Sequence, residues 1–349
     1  MVNFYQGTSA DTTPYDVLPS NSSREPTAPV AAIKFDKDAP YYDMTGDKFL
    51  IILNQHSFED TKHFKHRPSP RNGTYKDEGR LRQVFHLLGF ITFVFRNLKY
   101  KDIINCLTSI ASLDHSRTSC ICITILTHGD KGGKVFAADQ PYKLSEVMDI
   151  FGKQATLINK PKLFFVQACR GGNMDSGHTV NLSTTCDSRL GAMTIYQSSE
   201  TTCHYSIFEE LMMVMEQEEA KTAAPSFNIS NLLNLIKAWK NRWNAEDSDA
   251  SLSQNKSFLT VPTHADTLVL CSTVEDFLSF RDGSGSWMIQ ALCNTIENNH
   301  QNENLLDMII QMNRTVAYDK VTVLCKLKEM NKKKQMPETR FTLTKQLKF

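Results

Sequence analysis

The sequence predicts an α/β fold, a six-stranded, mostly parallel sheet with helices on both faces. Short apolar runs of strand length alternate with segments whose apolar residues recur every three or four positions, the spacing of one helix face. Strands separated by helices favour parallel pairing, and a parallel sheet needs cover on both faces. The pattern resumes after an irregular central stretch, so we expect both halves of the chain to build one sheet.

Five of the six predicted strands are apolar runs, of which the first, 49–53, reads Phe-Leu-Ile-Ile-Leu. The other strands cover 90–95, 120–126, 163–166, 267–271 and 340–349. Apolar residues at helical spacing predict helices within 81–88, 103–110, 147–151, 287–296 and 305–316. Gly89 is placed to end the first helix.

Composition divides the chain into four stretches. Residues 1–43 are rich in Ser, Thr, Pro and Asp without periodic apolar positions, which predicts a disordered segment. Compact segments follow at 44–172 and 258–349. The stretch 173–257 between them is irregular but partly helical in pattern, with an apolar helical face at 208–215 and another at 232–239.

Composition and charge exclude several classes of protein. The chain has 349 residues, of which 41% are hydrophobic and 22% charged, as in ordinary soluble domains. A net charge of +1 gives no reason to expect a nucleic-acid partner. There is no apolar run of about 18 residues and no signal-peptide core, so no membrane partner is expected. We therefore expect a cytoplasmic protein.

The nine cysteines fit a reducing compartment. They form no C-x-x-C pair and show no zinc-site spacing, so we expect no metal and no cofactor. Most of them lie in apolar segments and are interpreted as small buried residues. These are Cys106, Cys120, Cys122, Cys271, Cys293 and Cys325.

Two candidate catalytic residues follow the third and fourth predicted strands. The third strand runs into Thr-His-Gly-Asp, with His128, and the fourth into Gln-Ala-Cys-Arg-Gly-Gly, with Cys169. Ligands of open α/β sheets bind beyond the carboxyl ends of the strands. If the two strands are neighbours, His128 and Cys169 face the same crevice.

This pair suits nucleophilic catalysis. A thiol with a free pKa of about 8.5 is mostly protonated at neutral pH, and a nearby imidazole can take its proton and later donate one to a leaving amine. Gly129 has no side chain to obstruct its backbone N–H, which with the N–H of Cys169 would form an oxyanion hole. Taken singly, His128 reads as a polar loop residue and Cys169 as a core residue.

Together these residues resemble the caspase family, whose known signature includes Gln-Ala-Cys-Arg-Gly with an upstream histidine. The similar segments are 126–130 (LTHGD), 164–171 (FFVQACRG), 279–281 (SFR), 285–293 (GSWMIQALC) and 341–349 (FTLTKQLKF). They occur in family order. The resemblance implies a caspase-like sandwich whose last strand lies at a dimer interface.

The resemblance also implies a pocket for a substrate aspartate. Arg71, Gln167 and Arg281 match the two arginines and the glutamine that hold this carboxylate in the family, although Arg67 is an alternative to Arg71. Two guanidinium forks and an amide suit a carboxylate well. The substrate loop would include Ser279, Phe280, Asp282 and Trp287.

Two departures from the family concern substrate residues upstream of the aspartate. Phe280 stands where executioner caspases usually have Trp, and Asp282 stands where they often have a neutral amide. Repulsion by Asp282 predicts a weaker preference for a second acidic residue three positions before the cleaved one. The alternative is that Asp282 points to solvent or pairs with a nearby lysine.

The resemblance implies a zymogen that is cut after aspartate into a large subunit (44–172) and a small one (258–349), two of each forming a homodimer. The favoured cleavage site is Asp249, with Asp247, Asp187 and Asp175 as alternatives, and a cut after Asp16 or Asp38 would trim the first segment. That short segment is typical of executioners, which implies activation by an upstream caspase, a role in apoptosis and inhibitor-of-apoptosis proteins as partners.

Three functions are compatible with the sequence. The first is an aspartate-specific cysteine endopeptidase, acting on protein substrates. The second is a catalytically inactive or regulatory caspase homologue that acts as a dimer partner. The third is a cysteine hydrolase of small molecules. Activity on peptides ending in Asp or Arg separates them and also tests the arginine-preferring metacaspases.

Overall fold

A central sheet organises the chain, which is seen here in a computed structural model that describes residues 36–180, 260–323 and 328–349. In chain order the elements are β1 (Asp47–Asn54), α1 (Thr74–Leu87), β2 (Phe90–Arg96), α2 (Tyr100–Ala111), β3 (Thr118–Leu126), β4 (Gly129–Asp130), β5 (Lys134–Phe136), β6 (Pro141–Lys143), α3 (Leu144–Gly152), β7 (Lys162–Gln167), β8 (Thr267–Cys271), β9 (Arg281–Asp282), β10 (Gly285–Ser286), α4 (Trp287–Asn299), α5 (Leu305–Arg314) and β11 (Glu338–Phe341). Single 3-10 turns occur at Ala155–Leu157 and Lys328–Met330, and a π-helical turn at Thr315–Asp319 follows α5.

The sheet confirms the predicted α/β class. Its strand order is β11-β8-β7-β3-β1-β2, and every neighbouring pair is parallel except β11 with β8. The chain leaves β1 first towards β2 on one side and then towards β3 on the other. Such a reversal opens a crevice at the carboxyl ends of the strands.

Helices bury both faces of the sheet, as the sequence predicts. On one face, α2 and α3 pack against the strands through residues such as Ile103, Leu107 and Phe151. On the other face, α1, α4 and α5 pack through residues such as Phe85, Leu292 and Met308. The strand side chains alternate between these two clusters, for example Ile51 and Ile52.

The last strand is shorter than predicted. The prediction was a strand over 340–349, whereas β11 ends at Phe341. Its partner β8 begins at Thr267, so residues beyond Thr342 have no strand to pair with. The final residues instead cover the core: Leu347 is buried, and the Phe349 ring packs on Phe85 and Phe90.

Short elements escaped prediction. Strands β4, β5 and β6 form a three-stranded sheet, and β9 and β10 form a hairpin. Strands of two or three residues are too short to show a period of two in the sequence.

Ordered packing begins before residue 44, the predicted start of the large segment. Tyr42 is buried, and its hydroxyl donates to Asp266 at 2.7 Å. Residues 40–42 are hydrogen-bonded to Gln346 through their backbone, which holds this segment against the rest of the fold.

Several predictions concern residues that the structure does not describe, because residues 1–35 and 181–259 lie outside the described part. They are the cleavage sites Asp16, Asp187, Asp247 and Asp249 and the two helices predicted in the linker. Asp175 is described, and its carbonyl accepts from Lys334 N–H at 2.9 Å.

Candidate active site

The candidate catalytic residues meet at the carboxyl end of the sheet. Strands β3 and β7 are parallel neighbours, with Leu126 opposite Gln167, so the chain segments that follow them run side by side. Gly129 lies directly against the backbone of Cys169. A Cβ atom there would lie under 3.0 Å from the carbonyl oxygens of Cys169 and Lys134, which leaves room for glycine only. The sequence segments with His128 and Cys169 are therefore adjacent in space.

The His128 imidazole is half-buried and oriented by its surroundings. Its Nε2 lies 2.8 Å from the Ser69 carbonyl oxygen, which can only accept, so Nε2 carries the proton and Nδ1 keeps a lone pair. Its ring packs on Phe58 and Phe136, with centroids 5.0 and 6.4 Å away. Burial lowers the pKa of His128, the Ser69 carbonyl partly opposes this, and the nearby arginine charges lower it further. The imidazole is thus a neutral base at neutral pH.

The Cys169 thiol contacts the loop after β8. Its Sγ accepts from Ser279 N–H at 3.5 Å and lies 3.7 Å from the Ser279 hydroxyl oxygen and 3.8 Å from its carbonyl oxygen. Within the described residues, no hydrogen bond joins Sγ to His128. Catalytic contacts are often long in the absence of substrate, so this geometry is compatible with the predicted pair.

Two arginines share the same end of the sheet. Arg71 is 4% exposed, and burial followed by the charge of Arg281 lowers its pKa to about 9. Burial likewise lowers the pKa of Arg281. Arg71 Nη1 donates to the Gln55 carbonyl (3.0 Å) and to Thr74 Oγ1 (2.8 Å). Because like charges repel, holding the buried Arg71 and the partly buried Arg281 together favours the binding of an anion.

Gln167 completes this group of polar side chains. Its Nε2 donates to Ser279 Oγ at 3.2 Å, whereas its Oε1 is buried without a hydrogen-bond partner. Arg67, the alternative to Arg71, is exposed and donates to the Phe58 carbonyl at 2.7 Å. The structure therefore brings Arg71, and not Arg67, to Arg281.

The predicted substrate loop forms the β9–β10 hairpin and the residues around it. Phe280 is buried and packs on Trp287 with centroids 5.1 Å apart. Asp282 is exposed, and its Oδ2 lies 3.5 Å from Lys320 Nζ. The lysine pairing left open by the sequence is thus the arrangement found, and it offsets the repulsion expected from Asp282.

Sequence reasoning missed the polar residues that support these groups. Asp77 is buried in α1 and accepts hydrogen bonds from Ser286 and Gln290, while Arg281 donates to Asn72 and Ser286. An acidic residue in a first helical turn usually indicates a favourable helix-end charge, so Asp77 carries no local signal of a site role. Only its contacts across the fold distinguish it.

The described part of the chain holds neither a metal-binding cluster nor a membrane-spanning helix. In the ranges 36–180, 260–323 and 328–349, no group of three or more His, Cys, Asp or Glu residues could hold a metal ion. No helix in the described part of the chain is both long and apolar enough to cross a bilayer. Five of the six cysteines interpreted as core are buried, and Cys325 lies outside the described residues.

Comparisons with known proteins agree with this geometry. The family described as "Caspase domain" matches residues 48–348. "Caspase-1" of Spodoptera frugiperda is 29% identical over 339 residues, which cover 96% of this chain and 89% of that protein. "Caspase drICE" of Drosophila melanogaster is 28% identical over 336 residues, 95% of this chain and 78% of that protein.

A vertebrate relative and a solved structure extend the match. "Caspase-7" of Gallus gallus is 27% identical over 302 residues, 86% of this chain and 76% of that protein. The crystal structure of Caspase-1 from Spodoptera frugiperda superposes with a TM-score of 0.64 at 27% identity, covering 91% of this chain and 96% of that one.

Proposed function

The chain belongs to the caspase family, the aspartate-specific cysteine endopeptidases of apoptosis, and we propose that Cys169 and His128 carry out its reaction. The family acts on protein substrates and assembles as a dimer of large and small subunits. What remains to be assigned is the role of each residue.

Cys169 Sγ attacks the substrate carbonyl after transfer of its proton to His128, whose Nδ1 carries the free lone pair. The same imidazole then protonates the leaving amine. The backbone N–H groups of Gly129 and Cys169 stabilise the oxyanion, an assignment supported by the close approach of these two segments.

Arg71, Gln167 and Arg281 hold the side-chain carboxylate of the substrate. One observation carries this assignment: the two guanidinium groups share one end of the sheet with Cys169, and no ion pair to a described carboxylate occupies either of them. Gln167 Oε1 and the unused guanidinium N–H groups are left for a ligand.

Activation is the finer part of the proposal. We expect cleavage after Asp249, with Asp247 and Asp187 as alternatives and a cut after Asp16 that trims the first segment. Asp175 is a poorer site, because its carbonyl is already paired with Lys334. In this proposal an upstream caspase makes the cut, and inhibitor-of-apoptosis proteins bind the processed enzyme. The two halves of the homodimer meet at the last strand, and the enzyme acts in the cytoplasm.

The decisive experiment compares matched peptides with Asp, Glu, Asn or Arg at the cleaved position. We expect kcat/KM to be largest for Asp and cleavage to disappear in Cys169→Ala, which should keep the wild-type fold and dimer. Equal rates for Asp and Asn would sink the pocket assignment. An inactive wild-type chain that still dimerises with another caspase would favour the regulatory homologue, and mass spectrometry of the subunits would test Asp249.

A further inference from the structure

A fully buried carboxylate, Asp77, lies within electrostatic reach of both pocket arginines. It belongs to the first turn of α1, and its side chain is 0% exposed. Its oxygens accept hydrogen bonds from Ser286 N–H (2.7 Å), from the Ser286 hydroxyl and from Gln290 Nε2 (3.0 Å). These three donors compensate much of the desolvation that burial imposes on a carboxylate.

Ser286 connects Asp77 to Arg281. A hydroxyl has one proton, and this one is donated to Asp77, so the oxygen lone pairs are free to accept from Arg281 Nε at 3.3 Å. Arg281 and Ser286 are also opposite each other in the β9–β10 hairpin. The preceding Gly285 is closely packed, because a Cβ there would lie under 3.0 Å from the side chains of Asp77 and Gln290.

Asp77 influences the two arginines through its charge and forms no ion pair with either of them. Its negative charge raises the pKa of Arg71 and Arg281 and so opposes the lowering caused by burial. Neither guanidinium forms an ion pair with Asp77 within 4.0 Å. A direct pair would use the donor fork that an incoming carboxylate needs, whereas an indirect link leaves the fork free.

We propose that Asp77 is a positioning residue for substrate selectivity: through Ser286 it orients the Arg281 guanidinium that receives the substrate carboxylate. The inference rests on the proposed function of Arg281. Asp77 itself touches no substrate, and its effect is on the preference for a carboxylate over an amide of the same shape.

The test is Asp77→Asn, which keeps the shape and removes the charge. In processed enzyme made from the full chain, we expect kcat/KM for the Asp peptide to fall about tenfold or more, mainly through KM, while the Asn peptide changes little. Iodoacetamide is uncharged, so its rate of Cys169 alkylation, followed by peptide mass spectrometry, should stay within about twofold of wild type.

The matched control is Asp266→Asn, the same change at a carboxylate that is 2% exposed and accepts from Tyr42 and Thr344. It should lower thermal stability and keep the wild-type Asp-to-Asn ratio. If Asp77→Asn does not fold, Ser286→Ala removes the connecting hydroxyl and should reduce the ratio in the same way.

A wild-type Asp-to-Asn ratio in the folded Asp77 or Ser286 variant overturns the inference. A parallel loss of Cys169 alkylation also overturns it, because that result indicates a general structural role. Arg281→Ala distinguishes a failure of the inference about Asp77 from a failure of the proposed function of Arg281. If it lowers the ratio while Asp77→Asn does not, the inference alone fails; if it leaves the ratio unchanged, the proposed function of Arg281 fails as well.

Discussion

Each end of strand β3 has a histidine and two basic side chains nearby, but the two ends differ in how far the polar atoms of these side chains are hydrogen-bonded. Just before its amino end, His115 is fully buried, with Nδ1 3.1 Å from Thr118 Oγ1 and Nε2 3.0 Å from the Ile110 carbonyl oxygen. Lys160 and Lys162 are buried there too, and their ammonium groups donate to backbone carbonyls. Here the buried polar groups are satisfied within the fold.

The carboxyl end holds a histidine and two cations whose polar atoms are only partly used. His128 binds Ser69 through Nε2 alone, and Arg71 makes its hydrogen bonds through Nη1. Gln167 Oε1 has no partner. Arg71 is as deeply buried as Lys160 and Lys162 at the other end, so burial alone does not mark a site. Uncommitted donors and acceptors next to the candidate nucleophile do.

The largest effect expected from this contrast is on the two histidines. His128→Ala should lower kcat/KM by about 10²–10⁴-fold without a matching loss of stability, because it removes the proposed general base. His115→Ala should reduce the free energy of unfolding by about 1–3 kcal/mol, since it leaves buried partners unpaired, and should keep kcat/KM. Steady-state kinetics and urea unfolding of both variants measure this. Equal losses of activity would break the comparison.

The cations at the two ends of β3 give the next largest effect. Arg281→Ala should lower kcat/KM for Asp peptides by about 10²-fold, because the substrate carboxylate is buried with fewer partners. Lys162→Met keeps much of the volume but removes the donor to the Leu157 and Lys160 carbonyls. It should lower the free energy of unfolding by about 1–3 kcal/mol and spare activity. A selective loss of Asp cleavage in Lys162→Met would contradict the assignment.

The two histidines should also separate by pH. Burial lowers the pKa of His115 from 6.5 to about 4, so the unfolded chain binds the extra proton first. The contribution of His115 to the free energy of unfolding is therefore complete above pH 6.5, and it falls by about 3 kcal/mol as the pH drops to about 4. For His128 the lowered pKa places the acid limb of kcat/KM below pH 6.5.

Urea unfolding from pH 7 to 4 and a pH–rate profile test these two statements. His115→Ala should flatten the stability curve and leave the acid limb in place. Phe58→Ala should admit water to His128 and move the acid limb to higher pH. A shift of the acid limb in His115→Ala would show that the two ends of β3 are not independent.

The smallest expected effect concerns the exposed rim of the site. Lys320 offsets the Asp282 charge, so Asp282→Asn should raise rates for peptides with an acidic residue three positions upstream by only about twofold to threefold. Lys320→Ala should lower them by a similar factor. A library varied at that position, read at low and high salt, measures both. No change in either variant would mean that the pair lies outside the substrate's reach.

The fold was largely predictable because its strands and helices are long and periodic. The five parallel strands appear where apolar runs place them, and His128 and Cys169 follow β3 and β7 as predicted. The prediction extended the last strand too far, because the few apolar residues in 342–349 cover the core, and their presence does not distinguish that role from strand pairing.

The α/β class and the family could be predicted from the sequence, because local runs of residues carry both. The proposal of Cys169 and His128 as nucleophile and base comes from the same local segments. The tertiary structure was needed to place Arg71 rather than Arg67 near Arg281, to bring Ser279 against the Cys169 thiol and to pair Asp282 with Lys320. It alone drew Asp77 towards Ser286, a partner 209 positions along the chain. Such contacts depend on which strands become neighbours and on which side chains the packing leaves without a partner, and no local pattern encodes either.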